Sequence, residues 1–304
     1  MRTHNISDVT GSVNREMKQH TGVLIQLIEI IMFLDGLYEK KLKMVWAVEK
    51  NKKTSHLVGT AHFFPYSFKA SLKQYIKGAE HVLFEGPLDK QNMNKVVQAG
   101  FHEENAPHLF EELDPHTIDR ITHALIPFRQ NRLSFLFLNA HRLSANTPYA
   151  MVSGMKSWLA FFTLWTGFLE KNGWKYSVDM EAYKVACSMA KKVIFLETIE
   201  EQIDVLARIS HKKIIDFLNR VDHWGEYAQE YAVCYLDGDL KRLKSSRIGF
   251  PSRDSSIIDR RDTILYERMT AYLEKGNTVA FVGAPHIPGI RDMLHADGFQ
   301  TTIC

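Results

Sequence analysis

The sequence predicts an α/β protein whose central sheet is mixed and largely parallel, with flanking helices and an inserted helical lid. Two observations carry this prediction. Short, continuously apolar runs, typical of strands buried on both faces, alternate with segments of helical periodicity. Residues 89–175, by contrast, have a helical pattern throughout. A chain of 304 residues, 45% of them hydrophobic, can bury the core that such a fold needs.

The elements follow in chain order from these runs and from local turn and cap signals. We expect a helical extension at 1–40 and one domain at 41–304, with its core at 41–89 and 178–304 and its insert at 90–177. Before the insert we predict paired strands at 44–49 and 55–58 with their turn at 51–53, a helix at 68–79 with Pro65 in its first turn, and a strand at 82–84. After the insert we predict a helix at 178–190, a strand at 193–196, and a helix that begins at the capping box of Thr198 and Glu201. The last predicted elements are a helix at 256–275 that stops at Gly276 and Asn277, a strand at 278–282, a short helix to Gly298 and a strand at 299–303.

No segment of the chain predicts a membrane span. The apolar segment 155–169 has 15 residues, fewer than the roughly 20 that cross a bilayer, so it predicts a buried helix of the lid. Residues 133–142 form a second apolar segment of the insert, and residues 23–34 predict an amphipathic helix rather than a signal sequence. A cytoplasmic location is therefore expected. The aromatic residues assigned to the lid core are Trp158, Phe161, Phe162 and Trp165.

Charge and cysteine content exclude several classes of function. The 38 Lys and Arg residues against 35 Asp and Glu give a net charge of +3, which argues against a nucleic-acid partner. The three cysteines, Cys187, Cys234 and Cys304, are odd in number and have no paired spacing. They predict neither a disulfide scaffold nor a cysteine zinc site, so a bound metal must use histidine and carboxylate ligands.

Histidine or glutamate follows each of the four predicted parallel strands. The residues are His62, Glu85, Glu197 and His286. Sheets of this kind place their sites beyond the carboxyl ends of the strands, so we expect the four side chains to converge. Imidazole nitrogens and carboxylate oxygens suit a divalent ion such as Mn, Co or Zn, which makes bound water a nucleophile at neutral pH.

A glycine precedes each of the two predicted histidine ligands by three residues. Gly59 and Gly283 are expected to allow a tight turn and a close approach of the backbone. The third match to this pattern, Gly78 to His81, lies before a strand instead of after one. We therefore interpret His81 as a chance match that has no part in the site.

Several motifs together resemble the TraB/GumN family, which is related to the TIKI-type metal-dependent proteases and more distantly to the erythromycin-esterase and ChaN-like proteins. The resemblance is closest to the GumN-like branch. The motifs that carry it are Trp46 before Gly59 to His62, Phe84-Glu85, Lys156 to Ala160, Val178-Asp179, Leu196 to Gln202, Arg261-Asp262, and Val282 to Gly289. The chain departs from the family pattern at Asp262, where an asparagine is usual, and after Glu85, where Gly-Pro-Leu-Asp replaces a direct acidic pair.

The resemblance implies a metal-dependent hydrolase, most simply a peptidase, that acts on a peptide or small molecule. His62 and His286 would be ligands, while Glu85 and Glu197 would divide between a third ligand and a general base. Asp179 and Arg261 would line the site, although Asp179 could instead cap its helix and Arg261 could pair with a surface acid. The alternative function is a non-catalytic protein that sequesters a peptide or small signal, as in the pheromone-shutdown branch.

Overall fold

The computed structural model describes residues 39–101, 109–125, 148–245, 249–253 and 255–304. Residues 41–304 belong to one compact unit. The predicted extension, except for its last two residues, and the apolar segment 133–142 lie outside the described residues. The predicted division of the domain into a core and an insert stays a prediction.

The described strands form one mixed sheet in the order β4-β3-β5-β2-β1-β6. Strands β4, β3, β5 and β2 pair in parallel, whereas β1 is antiparallel to both β2 and β6. The strands are β1 Val45–Lys50, β2 Lys53–Thr60, β3 His81–Phe84, β4 Lys192–Phe195, β5 Thr278–Gly283 and β6 Gln300–Ile303. The predicted α/β class with a largely parallel sheet is confirmed.

The predicted hairpin is present, with a tighter turn and a longer second strand. Asn51 and Lys52 both have positive φ, 53° and 62°, which is the conformation of a two-residue turn matched to the twist of paired strands. Strand β2 continues to Thr60, so Gly59 lies inside the strand and not in a loop after it. This extension carries β2 to the same edge of the sheet as the end of β5, where Thr60 is paired with Gly283.

Helices flank the sheet, and several of them lie in the stretch of chain that connects β3 to β4. In the described part of the chain the helices are α1 Lys69–Gly78, α2 Lys90–Ala99, α3 Pro115–Leu125, α4 Pro148–Met151, α5 Ser157–Lys171, α6 Val178–Ser188, α7 Ile199–Ala207, α8 His211–Leu218, α9 Trp224–Asp237, α10 Leu240–Ser245, α11 Ser255–Leu273 and α12 Ile287–Ala296.

Local signals set several of these helix ends. Thr198 and Glu201 form the predicted capping box at the start of α7. Gly276 and Asn277 adopt positive φ after α11, as predicted for its stop. The placement of Pro65 in the first turn of α1 was wrong, because α1 begins at Lys69 and Phe68 is its N-cap residue.

The helix α5 is rich in buried aromatic residues, as predicted for this segment. Trp158, Phe161, Phe162 and Trp165 are all buried on α5. Trp165 makes edge-on ring contacts with Phe217 of α8 at 5.4 Å and with Trp224 of α9 at 5.7 Å. These contacts fix α8 and α9 against α5, and this aromatic layer forms one wall of the cavity described next.

Candidate active site

The carboxyl ends of four parallel strands meet at one edge of the sheet, as the sequence predicts. The amide of Glu85 donates to Phe281 O at 3.1 Å, and the amide of Glu197 donates to Glu85 O at 2.8 Å. The strand ladder therefore holds the two glutamates side by side. A cavity of about 270 Å³ opens at this edge, and Glu85, His62 and His286 are part of its wall.

Arg261 of α11 is the centre of the side-chain cluster at this edge. Its Nε donates to Glu197 Oε1 at 2.9 Å, and its Nη2 donates to Glu197 Oε2 at 2.5 Å and also to Glu85 Oε1. The side chain of Glu197 is 1% exposed and lies behind the guanidinium, outside the cavity wall. The second oxygen of Glu85 accepts from the amide of Gly283 at 2.8 Å.

The charges of this cluster stabilise one another in a mostly buried place. Burial alone would raise the pKa of Glu85, but the charge of Arg261 and the hydrogen bond from the Gly283 amide hold it well below its ordinary value. Burial would lower the pKa of Arg261, but Glu85 and Glu197 raise it above its ordinary range. Glu85 is therefore ionised and Arg261 is a permanent cation.

His286 is held by a buried aspartate. Its Nδ1 lies 2.5 Å from Asp262 Oδ1, and its Nε2 lies 3.3 Å from Arg261 Nη1. Because a guanidinium can only donate, Nε2 must be the acceptor of this pair, and the ring hydrogen must be on Nδ1, where it is donated to Asp262. We assign the ring hydrogen of His286 to Nδ1, so that the lone pair of Nε2 faces Arg261 Nη1 at the cavity wall.

His62 pairs with a different aspartate and has a different environment. Its Nδ1 lies 3.0 Å from Asp179 Oδ2, and its side chain is 61% exposed while that of Asp179 is 7% exposed. Asp179 Oδ2 is buried and has no hydrogen-bond partner among the described residues, so we describe its contact with His62 as an ion pair. Desolvation of the imidazole in the cavity wall lowers the pKa of His62, but Asp179 outweighs this and raises the pKa to about 9. His62 is therefore an imidazolium at neutral pH.

The two glycines before these histidines both permit close approach, but only one of them precedes a turn. Gly59 lies inside β2, so the predicted tight turn was wrong there, whereas Gly283 directly precedes the 3-10 turn Ala284–His286 without adopting positive φ. A Cβ at Gly59 would lie 3.2 Å from Ile287 Cγ1, and one at Gly283 would lie 3.3 Å from Glu85 Oε2. The missing side chains let α12 and Glu85 pack directly on the strand ends.

A family model described as the TraB/PrgY/gumN family matches residues 44–303. The chain belongs to this family. No curated protein matches the sequence. The GumN-like branch and the wider superfamily stay predictions from the motifs. Among the described residues of this TraB-family chain, none of the helices has the length and apolarity to cross a membrane.

The TraB-family resemblance implies a divalent ion, and the side chains present can be tested against it. Glu85 and Glu197 give all four of their oxygens to Arg261 and the Gly283 amide. No group of three or more His, Cys, Asp or Glu among the described residues is placed to hold a metal. This arrangement does not fit a metal ion, because Arg261 already fills the cation's place.

The structure resolves the two alternatives left open for Asp179 and Arg261. The cap of α6 is Ser177, whose side chain accepts from the Met180 amide, so the capping alternative for Asp179 was wrong. Arg261 pairs with Glu85 and Glu197 and not with a surface acid. His81, at the amino end of β3, lies at the end of that strand away from Glu85, as the strand argument predicts.

Some residues of the cavity were not predicted from the sequence. Asp262 appeared only in a motif, and its role is visible only because α11 lies beside His286. Arg253, Tyr227 and Tyr231 were not singled out, although all three line the cavity. No spacing signal marks them, because they come from α9 and from the loop before α11.

Proposed function

We propose that this chain is a hydrolase that cleaves an amide bond of a short peptide in the cavity at the strand ends. The observation that supports this is the pair of histidine–aspartate contacts beside Glu85. One imidazole, His286, lines the cavity and has a lone pair on Nε2, and the other, His62, carries a proton. Hydrolysis needs one group to accept a proton and another to donate one.

The two histidines would divide the proton transfers. Nε2 of His286 exchanges its 3.3 Å contact with Arg261 Nη1 for a water molecule and accepts a proton from it, and the water oxygen attacks the carbonyl carbon of the substrate. Asp262 stabilises the imidazolium that forms. The nitrogen of the breaking C–N bond takes a proton from His62, which yields a carboxylic acid and an amine. Proton exchange with solvent then restores both histidines.

Arg261 has a second use in this reaction. Its Nη1 contacts His286 and retains one N–H that could face the oxygen on which negative charge develops. Glu85 and Glu197 hold the guanidinium in place, and the low pKa of Glu85 makes it a poor base. We therefore propose these two glutamates as positioning residues, in place of the base and ligand roles expected from the sequence.

The divalent ion predicted from the sequence would need a second arrangement of the side chains in the same site. Oxygens of Glu85 and Glu197 converge on a single atom, Arg261 Nη2. If the arginine withdrew, the same oxygens would face a small cation at that point. Metal-dependent hydrolysis therefore requires that Arg261 leave the two carboxylates.

A peptide library tests the proposed hydrolase. The purified protein is incubated with short peptides, and the products are identified by mass spectrometry. We expect discrete cleavage products and a cleavage rate that falls at least about 100-fold in His286→Ala. The control is His81→Ala, which should leave the rate unchanged: His81 also follows a glycine by three residues, but it lies at the amino end of β3, away from the cavity. Peptides retained but uncleaved would overturn the hydrolase and favour the sequestering alternative. Equal rates in the two variants would overturn the role of His286.

A further inference from the structure

Arg253 is a cation of the cavity wall that contacts aromatic rings. It lies in the loop before α11, and its guanidinium carbon lies over the ring of Tyr231 at 4.5 Å, of Phe250 at 5.4 Å and of Tyr227 at 5.9 Å. Among the described residues no acidic side chain pairs with it. Cation–π contacts hold the guanidinium at the wall without using its N–H groups, which have no anionic acceptor in the described part of the chain.

A buried hydroxyl beside this arginine also has no partner. Tyr227 lines the cavity and is 3% exposed, and its hydroxyl makes no hydrogen bond to any described residue. Its ring is stacked on Phe250 at 5.6 Å with planes 4° apart, so it cannot turn freely toward another acceptor. Buried polar groups are normally satisfied, so this hydroxyl in the cavity wall is a donor that a bound ligand can use.

Arg253 shares its cavity with the proposed reacting groups. Both residues of the His62–Asp179 pair line the same cavity as Arg253, and so does His286. A substrate that reached both Arg253 and these groups would be small, as the cavity volume of about 270 Å³ requires.

We propose that Arg253, with the hydroxyl of Tyr227, binds a free carboxylate of the substrate. This rests on the proposed function and specifies its substrate class: a short peptide or acylated amino acid that is cleaved close to its carboxyl terminus. A guanidinium presents two parallel N–H donors that match a carboxylate, and the tyrosine hydroxyl adds a third donor. Phe162, Trp165 and Phe250 in the same wall provide an apolar surface for the side chain next to that carboxylate.

Two probes without a hydrolysable bond test this site separately from hydrolysis. They are 3-phenylpropanoate and 3-phenylpropanol, which differ in the carboxylate alone, and their Kd values are measured by isothermal titration calorimetry. We expect the wild-type protein to bind the carboxylate about tenfold or more tightly than the alcohol. Arg253→Gln should bind the two equally, and Arg268→Gln, which changes an arginine outside the cavity wall, should keep the preference.

A pair of tyrosine variants sharpens the test. The hydroxyl of Tyr235 donates to Gly59 O at 2.6 Å, whereas that of Tyr227 is unpaired, so Tyr235→Phe should destabilise the fold and Tyr227→Phe should not. Tyr227→Phe should nevertheless weaken binding of 3-phenylpropanoate severalfold. Equal binding of acid and alcohol by the wild type, or an unchanged preference in Arg253→Gln, would overturn the carboxylate site. Either result would leave the proposed hydrolase standing.

Discussion

Two arginines of α11, seven residues and thus about two turns apart, form ion pairs of very different kinds. Arg261 is 13% exposed and holds Glu85 and Glu197, which are 15% and 1% exposed. Arg268 is 41% exposed and holds Glu201, which is 39% exposed. Both arginines make two or more charge-assisted hydrogen bonds. Solvent screens the second pair and hardly reaches the first, so we expect only the first to have a large effect on folding.

The difference also bears on function. The exposed pair completes a helix cap, since Glu201 accepts from the Thr198 amide at 2.8 Å as well as from Arg268. The buried pair is part of the cavity edge, where it fixes one cation between two carboxylates beside His286. Burying the guanidinium of Arg261 costs desolvation free energy, and its charge lies beside the groups that would carry out the proposed reaction.

The largest expected effect is that of Arg261→Ala. Removing this cation leaves Glu85 and Glu197 buried without a partner, which typically costs about 3–5 kcal/mol. Urea denaturation should show this loss in the free energy of unfolding, and Arg268→Ala should lose about 1 kcal/mol or less. Similar losses in the two variants would contradict the distinction between the buried and the exposed pair.

A smaller effect is expected at the cap that the exposed pair serves. Thr198→Ala removes the oxygen that accepts from the Glu201 amide at 3.2 Å, and should lower the free energy of unfolding by about 1 kcal/mol. Thr198→Ser keeps an equivalent oxygen and should be close to wild type. If the alanine variant were also unchanged, the capping box would have no part in stabilising α7.

The smallest effect on stability is expected for the His62–Asp179 pair, because the imidazole is 61% exposed and solvent screens its charge. The folded-state pKa of His62 is raised from 6.5 to about 9. Its contribution to stability is therefore complete below pH 6.5 and lost as the pH rises through about 9. The wild-type protein should lose stability relative to Asp179→Asn over that window.

The pKa itself can be followed by NMR of the His62 imidazole. We expect the value to return toward 6.5 in Asp179→Asn, because the charge that raises it is gone. A wild-type titration near 6.5 would contradict the assignment of His62 as the proton donor.

The strand-end residues could be predicted from the sequence because their signal is local. Each follows a short apolar run, and parallel strands bring such positions to one edge whatever the helices do. This gave His62, Glu85, Glu197 and His286 correctly as neighbours of one edge. It also separated His81 from them, because that residue precedes its strand.

The partners of Arg261 could not be predicted from the sequence, because they depend on how the helices pack. Arg261 reaches Glu85 across 176 residues of chain, and no spacing within α11 indicates which acids it will meet. The sequence therefore assigned the two glutamates to a metal ion, whereas the structure gives them to the arginine. Arg253 and Tyr227 were missed for the same reason, since their contacts form only when α9 and the loop before α11 close the cavity wall.

Metal binding tests most directly the central claim that Arg261 is the cation of this site. The protein is dialysed against micromolar Mn²⁺, Co²⁺ or Zn²⁺, and bound metal is measured by mass spectrometry. We expect well under one equivalent of bound metal in the wild-type protein and more bound metal in Arg261→Gln, because that substitution releases the two carboxylates. One equivalent in the wild-type protein that His286→Ala loses would contradict it.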